Sequence, residues 1–179
     1  MRQRAVFLDK DGTLIRDIPY NTDPEKIILN DYASEGLTLL SARNYLYFII
    51  TNQPGIALGY FKEEALDGVK NKISGMFKKS SADLTGFLYC PHKENSHCLC
   101  RKPSPGLILQ AAREFKLNLT ESWMIGDILN DIEAGNRAGC HTVLIDNGNE
   151  TEWKDGVFRT PEFIASSLQE AAEYILNKS

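Results

Sequence analysis

AVFLDKDGTLI, residues 5–15, is the stretch that decides the fold. Its apolar run, residues 5–8, leads directly into two carboxylates, Asp9 and Asp11, which a glycine and a threonine follow. An apolar run without strict alternation is typical of a strand covered on both faces, as in a parallel sheet. Because α/β sheets bind ligands at the carboxyl ends of their strands, the two acids predict a functional site at that edge.

Alternating strand and helix patterns along the rest of the chain predict a Rossmann-like, doubly wound parallel α/β sheet. Further apolar runs lie at residues 45–50, 86–89, 123–125 and 142–145. Helical patterns lie at residues 32–43, 62–78, 104–115, 130–138 and from 167 onward. Ser104 and Pro105 fit the start of a helix, Gly139 fits a helix end, and Ser167 with Glu170 fits a capping box.

The composition is that of an ordinary globular protein. The chain has 179 residues, of which 42% are hydrophobic and 25% charged, so we expect one domain, residues 1–179, with a sizeable core. A formal net charge of −4 argues against nucleic-acid binding, which requires a basic face. No apolar run approaches the roughly 18 residues of a membrane span, and the N-terminus has no signal-peptide pattern. We expect a cytoplasmic monomer that binds no membrane.

Polar groups follow each of the first four predicted strands. In chain order they are Asp9 and Asp11, Thr51 and Asn52, Arg101 and Lys102, and Asp127. Carboxylate oxygens bind Mg²⁺, and an aspartate can attack phosphorus to form an aspartyl-phosphate. A lysine and a hydroxyl can neutralise and orient phosphoryl oxygens. The set therefore predicts phosphoryl transfer on a small phosphorylated metabolite.

Four motifs, LDKDGTL, IITNQ, RKPSPG and GDILND, occur in this order and resemble those of the haloacid dehalogenase (HAD) superfamily phosphatases. The resemblance covers residues 5 to about 149 and implies a HAD-like fold without a large cap domain. It implies that Asp9 is the nucleophile and that Asp11 acts as general acid and then as general base. It also implies that Asp127 joins Asp9 and the Asp11 carbonyl around Mg²⁺.

The phosphate side of the site follows from the same resemblance, which implies that Thr51, Asn52 and Lys102 hold the phosphate. Arg101 directly precedes Lys102, and successive residues of an extended chain point in opposite directions. Arg101 is therefore a candidate for binding the far end of the substrate. Asp131 leaves two interpretations open, an exposed helix acid or a partner for Lys102 or the metal.

Alternatives exist for single motifs. The acids around Asp9 could form a turn or half of a calcium loop, but the downstream glutamate of such a loop is missing and a strand precedes the motif. Taken alone, Thr51 could cap a strand, Lys102 could be a solvated charge, and Asp127 could cap the following helix. Their joint placement favours the functional interpretation.

A cysteine-rich loop reads C-x-H-x5-C-x-C from Cys90, through His92 and Cys98, to Cys100. Three thiolates and an imidazole predict a closed, four-coordinate structural Zn²⁺ site. His97 rivals His92 as the fourth ligand, and a disulfide is disfavoured in a cytosolic chain. The remaining cysteine is interpreted as a core residue.

The zinc loop resembles two HAD branches, the heptose-bisphosphate phosphatases and the histidinol-phosphate phosphatases. The x5 spacing is similar to the histidinol branch, whereas TNQPGIALGYF and RKPSPGLIL are similar to the heptose branch, from which Lys10, Leu58 and residues 17–20 depart. We expect a Mg²⁺-dependent phosphomonoesterase of carbohydrate metabolism acting on a sugar bisphosphate such as D-glycero-D-manno-heptose 1,7-bisphosphate. The alternatives are histidinol-phosphate hydrolysis and a zinc-loop interaction module with a vestigial site.

Overall fold

A computed structural model describes residues 2–178 and shows a six-stranded sheet in the order β3-β2-β1-β4-β5-β6. All neighbouring strands pair in parallel, which confirms the predicted α/β class. The strands are β1 (Arg4–Leu8), β2 (Tyr45–Asn52), β3 (Leu84–Cys90), β4 (Trp123–Gly126), β5 (His141–Ile145) and β6 (Phe163–Ala165). The helices are α1 (Ala33–Ser41), α2 (Leu66–Lys79), α3 (Gly106–Phe115), α4 (Leu129–Ala138) and α5 (Leu168–Lys178).

The first strand shows why the apolar run does not alternate. Val6 and Leu8 pack with side chains of α1, α2 and α5 on one face of the sheet. Ala5 and Phe7 pack with α3 on the other face, and all four side chains are inaccessible to solvent. A strand covered on both faces requires apolar residues at every position.

The chain order places a crevice between β1 and β4. From β1 the chain builds outward through β2 to β3, and it then crosses to β4 on the other side. The loops after β1 and β4 therefore leave the sheet in opposite directions, which opens a crevice at their carboxyl ends. No helix among residues 2–178 is both long and apolar enough to cross a membrane.

Several predicted boundaries need correction. The helix predicted to start at Pro105, with Ser104 as its cap, begins instead at Gly106, and no side chain caps it. The first N–H of the helix, that of Gly106, donates instead to the Leu99 carbonyl in the cysteine loop over 3.1 Å. Strand β6, only three residues long, was not predicted. Gly139 ends α4 at a φ of 86°, as its position after a helical pattern predicted.

Candidate active site

Three buried aspartates meet at the crevice between β1 and β4. Asp9 follows β1, and its N–H donates to the carbonyl of Ile125 in β4 over 2.9 Å. Asp127 follows β4, and Asp131 lies in the first turn of α4. One carboxylate oxygen from each of the three lies within 4.8 Å of the others. Two adjacent strands and the helix after the second one thus bring Asp9 together with two acids that lie more than 100 residues later in the sequence.

Lys102 lies among these acids and is only 4% exposed. Its Nζ donates to Asp9 and to the Ile50 carbonyl, the latter over 2.8 Å. The same nitrogen pairs with Asp131 Oδ1 at 2.6 Å. Asp131 is fully buried, so the interpretation as an exposed helix acid is wrong and the partnership with Lys102 is observed.

The Asp127 carboxylate accepts hydrogen bonds from the loop after β5 and from the loop after β1. Asn149 Nδ2 donates to Asp127 Oδ2 over 2.7 Å, and the Thr13 hydroxyl donates to Oδ1 over 2.7 Å. Asn147 Nδ2 donates to the Gly12 carbonyl over 2.7 Å. Gly12 has a φ of 85°, and a Cβ atom there would collide with the side chains of Asp127 and Asn149. These asparagines were missed, although the rule that polar groups follow strands, extended to a fifth strand, would have found them.

Asp11 lies outside the group formed by the other acids. Its Oδ1 pairs with Lys10 Nζ at 2.6 Å, and its Oδ2 accepts from Gln53 Nε2 over 3.2 Å. Gln53 also donates to the Thr51 hydroxyl over 2.9 Å, and both are buried. The lysine that departs from the heptose branch thus pairs directly with the predicted acid–base residue.

Asn52 is bound to the backbone of Lys102. Its Nδ2 donates to the Lys102 carbonyl over 3.2 Å, and its Oδ1 accepts from the Lys102 N–H over 3.0 Å. Both polar atoms of the side chain therefore face the lysine's main chain. This geometry fits a residue that positions Lys102 better than one that contacts phosphate directly.

Burial raises the pKa values of the clustered aspartates, because Lys102 does not fully compensate their loss of solvation. Desolvation, reinforced by the neighbouring acids and opposed by Lys102, raises the pKa of Asp9 to about 7. Burial and the charge of Asp9 raise the pKa of Asp127 to about 6. Burial disfavours the charge of Lys102, but Asp131 and Asp9 prevail and raise its pKa. A buried excess of carboxylate oxygens is a donor set that fits a hard divalent cation such as Mg²⁺.

The cysteine loop forms a second cluster of ligand atoms. Cys90, His92, Cys98 and Cys100 each offer one atom within 4.8 Å of the others, and the cysteines form no disulfide. Sγ–Sγ distances of 3.1 and 3.6 Å and Sγ–Nδ1 distances of 3.3 and 3.5 Å separate neighbouring atoms. Ligands of a tetrahedral zinc ion lie about 3.5–3.8 Å apart, given bonds of about 2.0–2.3 Å, so the cluster is compatible with zinc. His97 is exposed and outside it.

A cavity of about 280 Å³ lies beside Lys102, between the cysteine loop and the start of α4. Arg101 and His97 line it, together with Asn130 of α4. Arg101 is held there by a hydrogen bond from Nη1 to the His92 carbonyl over 3.4 Å. A larger cavity of about 880 Å³ lies along α3 and contains none of the site residues. Of these two cavities, the smaller one is lined by the predicted site residues Arg101 and Lys102.

Comparisons with known proteins agree with this geometry. Residues 99–171 match the family model described as HAD-hydrolase-like. The chain is 37% identical to D-glycero-beta-D-manno-heptose-1,7-bisphosphate 7-phosphatase of Pasteurella multocida over 82% of this chain and 83% of the relative. It is 38% identical to the alpha-anomer phosphatase of Campylobacter jejuni over 85% and 87% of the two chains.

Among solved structures, the chain resembles D,D-heptose 1,7-bisphosphate phosphatase from B. bronchiseptica, which was crystallised with magnesium and phosphate. The TM-score is 0.88 at 26% identity, and the match covers 99% of this chain and 100% of that one. The two folds therefore agree over their whole lengths.

Proposed function

This chain belongs to the haloacid dehalogenase-like (HAD) hydrolase family, and on that premise we propose that it is a Mg²⁺-dependent phosphomonoesterase acting on a heptose 1,7-bisphosphate. The observation that carries the proposal is the position of Lys102, whose nitrogen lies between Asp9 and Asp131 at the β1/β4 crevice. Relatives that cover more than four-fifths of the chain are named as heptose-bisphosphate phosphatases and support the choice of substrate.

In the proposed reaction Asp9 attacks phosphorus through its carboxylate. Lys102 holds Oδ1 of that carboxylate, which leaves Oδ2 to form the bond to phosphorus. The bond between phosphorus and the sugar oxygen breaks, and Asp11 donates a proton to that oxygen. Asp11 then removes a proton from the water that attacks the aspartyl-phosphate, which releases phosphate and restores Asp9.

Lys10 and Gln53 give Asp11 a fixed orientation for this proton transfer, since each binds a different oxygen of its carboxylate. The Thr51 hydroxyl orients the transferring phosphoryl oxygens, and the positive charge of the Lys102 ammonium neutralises them. Asn52 acts by positioning Lys102 through its backbone. Arg101, on the rim of the adjoining cavity, is the candidate for the second phosphate of a bisphosphate.

Two metals complete the proposal. Asp9, Asp127 and the Asp11 carbonyl would hold Mg²⁺, which when bound neutralises phosphoryl oxygens. Zn²⁺ would be held by the four ligands of the cysteine loop, Cys90, His92, Cys98 and Cys100. Its role is structural, because all four positions of a tetrahedral ion are then filled by protein. We further propose that the enzyme works in the cytoplasm as a monomer, without binding nucleic acid, in keeping with its net charge of −4.

A hydrolysis screen with Mg²⁺ tests the proposed function. The panel contains both anomers of D-glycero-D-manno-heptose 1,7-bisphosphate, several sugar monophosphates and histidinol phosphate, with Asp9→Asn as the inactive control. We expect the highest kcat/KM on a heptose bisphosphate and none in the control. A preference for histidinol phosphate would place the chain in the other branch, and inertness toward every phosphate would favour a vestigial site.

A further inference from the structure

The segment between β5 and β6 reaches back to the metal-binding edge of the sheet. It places the Asn149 amide 2.7 Å from Asp127 Oδ2, although the two residues are 22 positions apart. Thr13 occupies the other oxygen of the same carboxylate. Asp127 is only 3% exposed, whereas Asn149 is exposed, so the amide lies between the buried carboxylate and solvent.

Glu150, the next residue, fastens this segment to α4. Its Oε2 accepts from the Leu129 N–H over 2.7 Å, at the first residue of the helix. Its Oε1 accepts from the N–H groups of Glu152 and Trp153 over 2.8 and 3.3 Å. The helix has no side-chain cap of the usual kind at Ile128, so a carboxylate from the distant segment satisfies one of its free N–H groups.

We propose that Asn149 is a positioning residue for Asp127 and that Glu150 keeps Asn149 in place by binding the start of α4. This inference rests on the proposed function, in which Asp127 is a ligand of Mg²⁺. With Thr13 on one oxygen and Asn149 on the other, the carboxylate cannot rotate without losing a hydrogen bond. The remaining lone pairs therefore keep one direction, which lowers the cost of ordering the ligand when the metal binds.

The amide is well suited to this task. A neutral donor fixes the carboxylate without cancelling its charge, whereas a lysine at the same position would compete with the cation. Gly12 provides the space, because a Cβ atom there would collide with both Asp127 and Asn149. The Asn147 amide ties the segment to the Gly12 carbonyl as well. The loop after β1, the loop after β4 and the β5–β6 segment thus form one hydrogen-bonded unit.

Direct metal binding to Asn149→Ala in the absence of substrate tests the proposal. Mn²⁺, used as a probe for Mg²⁺, is titrated by calorimetry and by electron paramagnetic resonance. We expect the Kd to rise about tenfold or more, as for other residues that orient a metal ligand. Thermal unfolding in a chelator should change little. Asn44→Ala is the matched control, because Asn44 is exposed and remote from the site; its Kd should equal that of the wild type.

Glu150→Gln provides an independent variant that alters no atom touching Asp127. It keeps the side-chain volume but replaces one acceptor oxygen with a donor, so the Kd for Mn²⁺ should rise in the same direction by a smaller factor. An unchanged Kd in Asn149→Ala would overturn the positioning role of Asn149. An unchanged Kd in Glu150→Gln would overturn the role of Glu150 in keeping Asn149 in place. Because binding is measured without substrate, the two proposals can fail separately. If the wild type hydrolysed no phosphate and Asn149→Ala still bound Mn²⁺ more weakly than the wild type, the proposed function would be refuted and this inference would stand.

Discussion

Breaking the cysteine cluster at Cys98 tests how the loop controls the site, because the loop leads directly into Lys102. A metal bound from Cys90 to Cys100 closes a loop of 11 residues. The chain-entropy relation for such a closure gives a stabilisation of about 3 kcal/mol at 25 °C. Cys98→Ser should therefore lower the free energy of unfolding by about that amount when zinc is lost.

The rate should fall as well, because freeing the loop displaces the lysine. A misplacement near 1 Å can reduce turnover by about 10²-fold. Zinc content, urea unfolding and kcat/KM are measured on the same preparation, and extra Mg²⁺ should restore neither stability nor activity. Cys140→Ala is the control, since Cys140 is a core residue outside the cluster and its loss should leave zinc content unchanged. A zinc-free protein with full activity and wild-type stability would refute the reasoning.

Three further predictions concern single side chains. Asn52→Ala removes two hydrogen bonds to the Lys102 backbone, so the free energy of unfolding should fall by about 1–3 kcal/mol. The factor by which kcat falls should exceed the factor by which the inhibition constant of the phosphate product rises, and product-inhibition kinetics measure the latter. Arg101→Ala should raise KM more for a bisphosphate than for a monophosphate; equal effects would remove Arg101 from substrate recognition. Asp11→Asn should slow turnover by about 10² or more, as expected for a positioned acid–base group, and a rate near that of the wild type in stopped assays would exclude that role.

The general layout of the fold followed from local patterns in the sequence. The unbroken apolar run before Asp9 reflects burial on both faces of β1, and such burial can be predicted because it requires an apolar residue at every position. Strand β6 could not be predicted in this way, because three residues with one exposed side chain are too few to form a pattern. The start of α3 was misplaced because its first N–H donates to the carbonyl of Leu99, seven residues earlier in the preceding loop, and no cap residue in the sequence signals this contact.

The candidate site was predictable where polar residues directly follow strands. Asp131 could not be assigned from its position in a helix, since only packing decides whether a helical acid faces solvent or Lys102. The role of Asn52 depended on which atoms it faces, which the sequence does not encode locally. Asn149 contributes through a segment 22 residues from its partner, so its role depends on the path of a loop.

Trapping the intermediate on Asp9 tests the central claim most directly. The wild type during turnover and the Asp11→Asn variant, in which both formation and hydrolysis of the intermediate are slowed, are each mixed with substrate and Mg²⁺, quenched in acid and reduced with borohydride, which converts an aspartyl-phosphate to homoserine. Peptide mass spectrometry should find homoserine at position 9, and Asp9→Asn should give none. Homoserine at another aspartate, or product formation with position 9 always unmodified, would contradict a mechanism in which Asp9 is the nucleophile.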